Sequence, residues 1–170
     1  MSDAPLTLRP GGPEDRDWLL GLFDEAIAWM VARGQPRQWG AEPMSASARG
    51  RDLAARFAGG GGLRVAGRDG EDVGVLVVGS RPRHVAAIEA PELYIELLLV
   101  SRRHAHQDIG GWLVRQALAE ARHGGAAVLR VDCWAGAPTL VAWYERQGFR
   151  RAGTFEVNDG WRGQVFAIEL

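Results

Sequence analysis

Residues 97–111 read LLLVSRRHAHQDIGG, and the rest of the chain is best understood outward from them. An apolar run ends at Val100, a basic loop follows, and Gly110 and Gly111 open a helical stretch. A strand that feeds a helix N-terminus this way is a ready anion site. The first helical N–H groups have no intrahelical partner, and the helix dipole adds partial positive charge. Arg102 and Arg103 add two permanent charges, and the glycine pair lets a ligand approach the backbone. A phosphate-bearing ligand is the first hypothesis. Asp108 is the anomaly, because it stands where an anion has to come close. The competing reading is an ordinary strand–loop–helix unit that carries glycines and arginines with no ligand.

The flanking pattern sets the fold class. Upstream, residues 6–9 are a short strand closed by Pro10-Gly11-Gly12, and Pro13 with the acids after it starts a helix running to about Arg33. Its apolar stripe is Trp18, Leu19, Leu22, Ile27, Met30 and Val31. Ser45 or Ser47 caps a second helix with Leu53, Ala54 and Phe57 on its buried side, and four glycines, 59–62, end it. Strands at 63–66 and 72–79 flank the turn Arg68-Asp69-Gly70, a hairpin signal. Residues 92–100 form a long strand, and 109–123 a helix with Ile109, Leu113, Ala117 and Ala121 on one face. Beyond it come a strand at 128–133, a helix at 138–147, and strands at 151–157 and 164–170 joined through Asn158-Asp159-Gly160-Trp161. The order β-α-α-β-β-β-α-β-α-β-β predicts one α/β domain over residues 1–170, with a mixed, mostly antiparallel sheet flanked by helices. The strand ending near Val100 is expected beside the one ending near Cys133, with a ligand cleft where they diverge.

Composition excludes several function classes. The 170 residues carry a net charge of −1, which gives no pull toward nucleic acid or an anionic membrane. Every basic residue is arginine and lysine is absent, a bias that warns against reading each arginine as a contact. Cys133 is the lone cysteine, so no intrachain disulfide forms and a reducing cytoplasm is the expected compartment. No long apolar run and no signal-peptide pattern stand in the sequence. Seven tryptophans supply aromatic surface for a small-molecule pocket or for the core.

The element order, the basic loop after the long fourth strand and the late Tyr144-Glu145-Arg146-Gln147-Gly148-Phe149 together resemble the GNAT superfamily of acyl-CoA-dependent N-acyltransferases. In that family a strand leads into R/Q-x-x-G-x-G/A, whose backbone amides hold the coenzyme A pyrophosphate. The pattern falls here on Ala105-His106-Gln107-Asp108-Ile109-Gly110, where only the last glycine matches. Ala105 replaces the Arg or Gln, and Asp108 the first motif glycine. Ala137 stands where the family often has asparagine, seven residues before the tyrosine. Backbone amides do not depend on side-chain identity, so the loop keeps its capacity to cradle phosphates. Asp108 is tolerated if its φ is negative. Its carboxylate repels a pyrophosphate unless it turns outward or Arg102 or Arg103 neutralises it.

The resemblance implies acetyl-CoA as co-substrate, held by Leu98, Val100, Arg102, Arg103, Gln107, Ile109, Gly110 and Gly111. It implies Tyr144 as the acid that protonates the leaving thiolate; packing is the alternative role. Period-two alternation puts Glu92, Tyr94, Glu96, Leu98 and Val100 on one strand face. A carboxylate in an apolar strand is costly unless paired or used, so Glu96 is the candidate base, or else pairs with Arg64 or Arg130. Trp29, Gln38, Trp39, Glu92 and Tyr94 are expected near the acceptor, with Asp24 and Glu25 as a solvated helix face. The His104–Asp108 run has the spacing of some metal loops, but a solvated loop explains it better and no metal is expected. Cys133 reads as a buried thiol.

The activity implied is acetyl transfer to a primary amine of a small molecule: an amino acid, a polyamine or an amino-bearing antibiotic. Nucleic acid and membrane are not expected partners, and a homodimer stays open. The alternative from a different class is a non-catalytic module of the same fold that binds or sequesters a ligand, with Ala105, Asp108 and Ala137 in its favour. A donor with a longer acyl chain is a third reading.

Overall fold

The computed structural model describes residues 4–158 and 160–170. Asp159, part of the expected link between the last two strands, lies outside the described residues. The elements are β1 (Thr7–Pro10), α1 (Arg16–Ala32), α2 (Ala48–Gly59), β2 (Leu63–Arg68), β3 (Glu71–Gly79), β4 (Glu92–Val100), α3 (Ile109–His123), β5 (Val128–Trp134), α4 (Pro138–Arg146), β6 (Arg150–Val157) and β7 (Trp161–Glu169). Short 3-10 turns precede α1, α2 and α3. The strands follow the order β1-β2-β3-β4-β5-β7-β6 in a seven-stranded sheet. The β1–β2, β2–β3, β5–β7 and β6–β7 pairs are antiparallel, and β4 runs parallel to β5. The mixed, mostly antiparallel α/β class expected from the element order is the one observed.

The chain divides into two compact units: Met1–Val77 with Leu97–Leu113, and Val78–Glu96 with Val114–Leu170. In the first, the core gathers Leu19, Phe23 and Ala26 of α1, Ala54 and Phe57 of α2, and Leu63, Val65, Val75, Leu97 and Leu99 of the strands. Each of the larger side chains among them contributes about 1.5–3 kcal/mol when removed from water. Val31, placed in the α1 stripe by periodicity, is instead 41% exposed, because it lies in the last turn, past the buried Ile27. Ser47, not Ser45, caps α2 by accepting from the Gly50 N–H at 3.0 Å. The hairpin between β2 and β3 turns at Asp69 and Gly70, both left-handed with φ of 54° and 78°. That is the primed-turn geometry for which Asp-Gly is suited. Asp15, buried before α1, accepts from Arg9 at 2.7 Å and from the Gly12 N–H at 2.9 Å. The Arg9 hydrogen bond holds its carboxyl below the usual range.

In the second unit, Val85, Tyr94 and Val165 form a small core against Ala152 and Phe155. The parallel ladder sets Glu92–Ile95 against Val128–Val131. Along β4 the odd positions Ile95, Leu97 and Leu99 are buried and the even ones, Tyr94 excepted, are half-buried, as alternation requires. Among the described residues no helix is long and apolar enough to cross a membrane.

Candidate active site

In the first unit the loop after β4 is built from both ends. The Ser101 N–H donates to the Val73 carbonyl at 2.9 Å, pinning the strand end. Glu25 of α1 accepts from Ser101 Oγ at 3.3 Å and from the Arg102 N–H at 3.2 Å. Asp24 accepts from the Ser45 N–H and, at 2.5 Å, from Ser45 Oγ. The two acids are therefore structural ties and not a solvated face, because backbone and hydroxyl donors from distant segments reach them.

At the helix end, the first bond of α3 runs from the Trp112 N–H to the Asp108 carbonyl, so the amides of Ile109, Gly110 and Gly111 precede the ladder. His106 and Asp108 both take left-handed φ, 64° and 54°. Asp108 is thus accommodated with positive φ, against the expectation of a negative one. Aspartate tolerates this region better than most side chains, at some strain. Left-handed residues alternating along a loop turn successive N–H groups toward one side, the geometry of an anion cradle. Two of the loop's side chains depart from the motif, but main-chain N–H groups do not depend on them.

The side chains assigned to the cofactor divide into groups. Arg103 is bound to Glu71 at 2.6 Å, and His104 Nε2 lies 3.5 Å from the same carboxylate. Gln107 accepts from Arg68 at 2.8 Å. Ile109 is 1% exposed and belongs to the core, so only its amide is available to a ligand; periodicity had put it on the buried helix face as well. Leu98 and Val100 are half-buried, as is Gly110, while Gly111 is buried. Arg102 does not turn to Asp108. Its guanidinium carbon stacks 3.9 Å above the Trp29 ring, which also carries Arg33 at 4.1 Å. Trp39 meets Phe23 edge-on at 5.4 Å and packs against the core.

The second unit holds Tyr144, Glu92, Tyr94 and Glu96. Tyr144 is buried among aromatic rings, stacked on Phe166 at 5.2 Å and edge-on to Trp143 and Phe149. Burial pushes its phenol well above the ordinary value, so it stays a proton donor. Glu92 is not free to face an acceptor: Arg130 grips it with two hydrogen bonds, at 2.5 and 3.0 Å, and also donates to the Ala86 carbonyl. The pairing partner foreseen for Glu96 is therefore used by Glu92, which lies directly on the β5 ladder. Tyr94 is fully buried and offers no surface to a substrate; its hydroxyl donates a short hydrogen bond to Asp132. Glu96 is half-buried, and a methyl group at Gly79 would collide with its carboxylate.

Asp132 is the residue sequence reasoning passed over. Desolvation raises its pKa despite the Tyr94 hydrogen bond, and His84 opposes the rise. An aspartate inside the apolar run VLRVDCW was the available signal, since a buried charge needs a partner or a use. Cys133 beside it is buried, its thiol pushed up to about 12 by desolvation, as expected of an inert thiol.

A model of the acetyltransferase (GNAT) family matches residues 25–149. No curated protein matches the sequence. Solved structures share the fold at low identity. The Drosophila melanogaster polyamine N-acetyltransferase is 15% identical, with a TM-score of 0.70 over 98% of this chain and 100% of that one. A ribosomal-protein-alanine N-acetyltransferase from Brucella melitensis is 23% identical, with a TM-score of 0.67 over 96% and 99%. A Salmonella typhimurium protein solved with acetyl-CoA is 16% identical, with a TM-score of 0.64 over 96% and 93%.

Proposed function

Since the chain belongs to the acetyltransferase (GNAT) family, we propose that it transfers the acetyl group of acetyl-CoA to a primary amine of a small molecule. The observation that carries this reading is the loop backbone: left-handed His106 and Asp108 lead into amides that precede the α3 ladder. That main-chain form suits a pyrophosphate without the family's glycine at position 108. Val100 and Leu98 lead the strand into it, and the amides of Ile109, Gly110 and Gly111 are the donors.

When bound, the thioester supplies the acetyl group. In the balanced reaction an N–C bond forms, a C–S bond breaks, the amine loses one proton and the departing thiolate gains one. Tyr144, kept protonated by burial, is the proposed donor to the thiolate. Glu96, whose carboxylate occupies the space that Gly79 leaves open, is the proposed acceptor of the amine's proton. Asp132, in the same unit, is the alternative acceptor, its pKa raised by desolvation. A pH–rate profile of Glu96→Gln against Asp132→Asn decides between them.

The test begins with binding. Acetyl-CoA at a hundred times its Kd should add about 2.7 kcal/mol of stability in a thermal-shift experiment. Thiol release with a panel of primary amines then reads turnover. Binding without release of thiol from any amine favours the ligand-sequestering module, and no binding at all overturns the reading.

A further inference from the structure

Trp29 carries two guanidinium groups, Arg33 at 4.1 Å and Arg102 at 3.9 Å from its ring centre. Cation–π attraction supports each one but leaves their like charges close together. Burial and then the Arg33 charge hold the Arg102 pKa below its usual value, while Glu25 opposes the fall. Among the described residues no carboxylate oxygen accepts a hydrogen bond from either guanidinium, although the Glu25 charge favours the Arg102 cation. Glu25, the acid beside them, spends its oxygens on Ser101 Oγ and the Arg102 N–H. The Arg102 Nε is buried and has no acceptor. The C-terminal end of α1 offsets only part of the charge. Two guanidinium forks beside the Glu25 carboxylate, whose oxygens accept from other donors, keep excess positive charge and match a carboxylate or phosphate, which they bind bidentately. They stand at the strand end of the loop, whereas the amides suited to a pyrophosphate stand at its helix end, after residue 108.

We propose that Arg33, Trp29 and Arg102 bind an anionic group of the acceptor, a carboxylate or phosphate, so that the acceptor is a zwitterionic amine and not a polyamine. The inference rests on the N-acetyltransferase reading and narrows its substrate class. It also gives Trp29 a reason to lie half-buried at the loop, since its ring meets both cations.

The experiment compares the twenty amino acids with the corresponding amino acid amides, phosphoethanolamine with ethanolamine, and spermidine, all under saturating acetyl-CoA. The wild-type protein should prefer the anionic member of its best pair by at least about tenfold in kcat/KM, as expected for a charged hydrogen bond. Arg33→Gln should reduce that ratio to near one, Arg33→Lys should restore part of it, and the Kd for acetyl-CoA should stay within about twofold. Arg33 is exposed, so these variants should fold. Equal rates for the paired acceptors, or faster turnover of spermidine, overturn the proposal. So does an Arg33→Gln protein that loses acetyl-CoA affinity and keeps its acceptor ratio, since the anion is then a cofactor phosphate. A second readout is independent of turnover. N-acetylated forms of the same amino acids, titrated by calorimetry, should bind the wild-type protein at least about tenfold more tightly than Arg33→Gln. Equal binding overturns the clamp even if every acceptor assay is silent, and silence with intact clamp binding overturns only the transferase reading.

Discussion

Replacing Asp108 separates two effects that its position combines. Its φ of 54° is left-handed, where an L-residue carries about 1–2 kcal/mol of strain, less for aspartate, whose side chain bonds locally. Asp108→Gly removes that strain but admits about 0.5–1 kcal/mol more unfolded-chain entropy. The net change should lie between zero and about +1 kcal/mol, equivalent to at most about 2–4 °C in Tm for a chain of this size. The carboxylate is exposed, so its repulsion of a bound phosphate is that of charges in water: about 0.7 kcal/mol for two unit charges roughly 6 Å apart. Removing it should tighten coenzyme A about threefold at low salt, less at 0.5 M. Asp108→Asn isolates the charge, since asparagine also accepts left-handed φ: it should show the same tightening with little change in Tm. Asp108→Ala should lose about 1–2 kcal/mol of stability, because a Cβ without a local hydrogen bond is strained there. Calorimetry with coenzyme A at two ionic strengths and thermal unfolding of all three variants read these effects. Unchanged affinity in both Asn and Gly variants, with an Ala variant as stable as Gly, would refute both the charge and the backbone argument.

Tyr144→Phe keeps the ring stack and should lower kcat by roughly 10²–10⁴ with little change in the acyl-donor KM; unchanged kcat removes the tyrosine from the acid role. Asp132→Asn should alter the pH dependence of stability. The folded pKa of Asp132 is raised, so its contribution is fully present below the unfolded pKa and is lost as pH rises through the folded one. The variant should therefore gain on the wild type as pH rises from 3 to 8, and parallel curves would deny that the carboxyl is desolvated. Asp15 is the opposite case: its lowered pKa adds stability above the unfolded pKa that disappears as pH falls through the folded one. Arg9→Ala should thus cost stability at pH 7 and little near pH 2, as circular dichroism melts can show. Gly79→Ala should displace the Glu96 carboxylate and move the acidic limb of the pH–rate profile as Glu96→Gln does; an unmoved limb assigns the base elsewhere.

Local signals carried most of the fold. Asp69-Gly70 marks its hairpin and Ser47 its helix cap, because both act through their own backbone within a few residues. Alternation along β4 and the face of Ile109, Leu113, Ala117 and Ala121 are likewise properties of a single element. The candidate site was legible only in part. Arg130 reaches Glu92, and Tyr94 reaches Asp132, each across 38 residues of sequence, and neighbouring strands alone bring them together. Trp29 and Arg102, distant in the sequence, meet because α1 is tied through Glu25 to the loop after β4. The left-handed loop was missed because His106 and Asp108 adopt it without the glycine that announces it.

The ion pairs of both units have arginine as their cation: Arg9 with Asp15, Arg103 with Glu71, Arg130 with Glu92, Arg151 with Glu145. A guanidinium does not lose its proton in a protein, whereas a lysine ammonium is half gone near pH 10.4. Burial also lifts Tyr94 and Tyr144 upward and sets Cys133 at about 12. This framework should therefore keep its charge pattern as pH rises toward 10, which melts at pH 8 and 10 can check. Rates measured from pH 8 to 10, where amine acceptors shed their own proton, then report the acceptor's ionisation and not a loosening scaffold. With no lysine in the chain, such alkaline incubations with acetyl-CoA also leave no side-chain amine of the protein itself to be acylated.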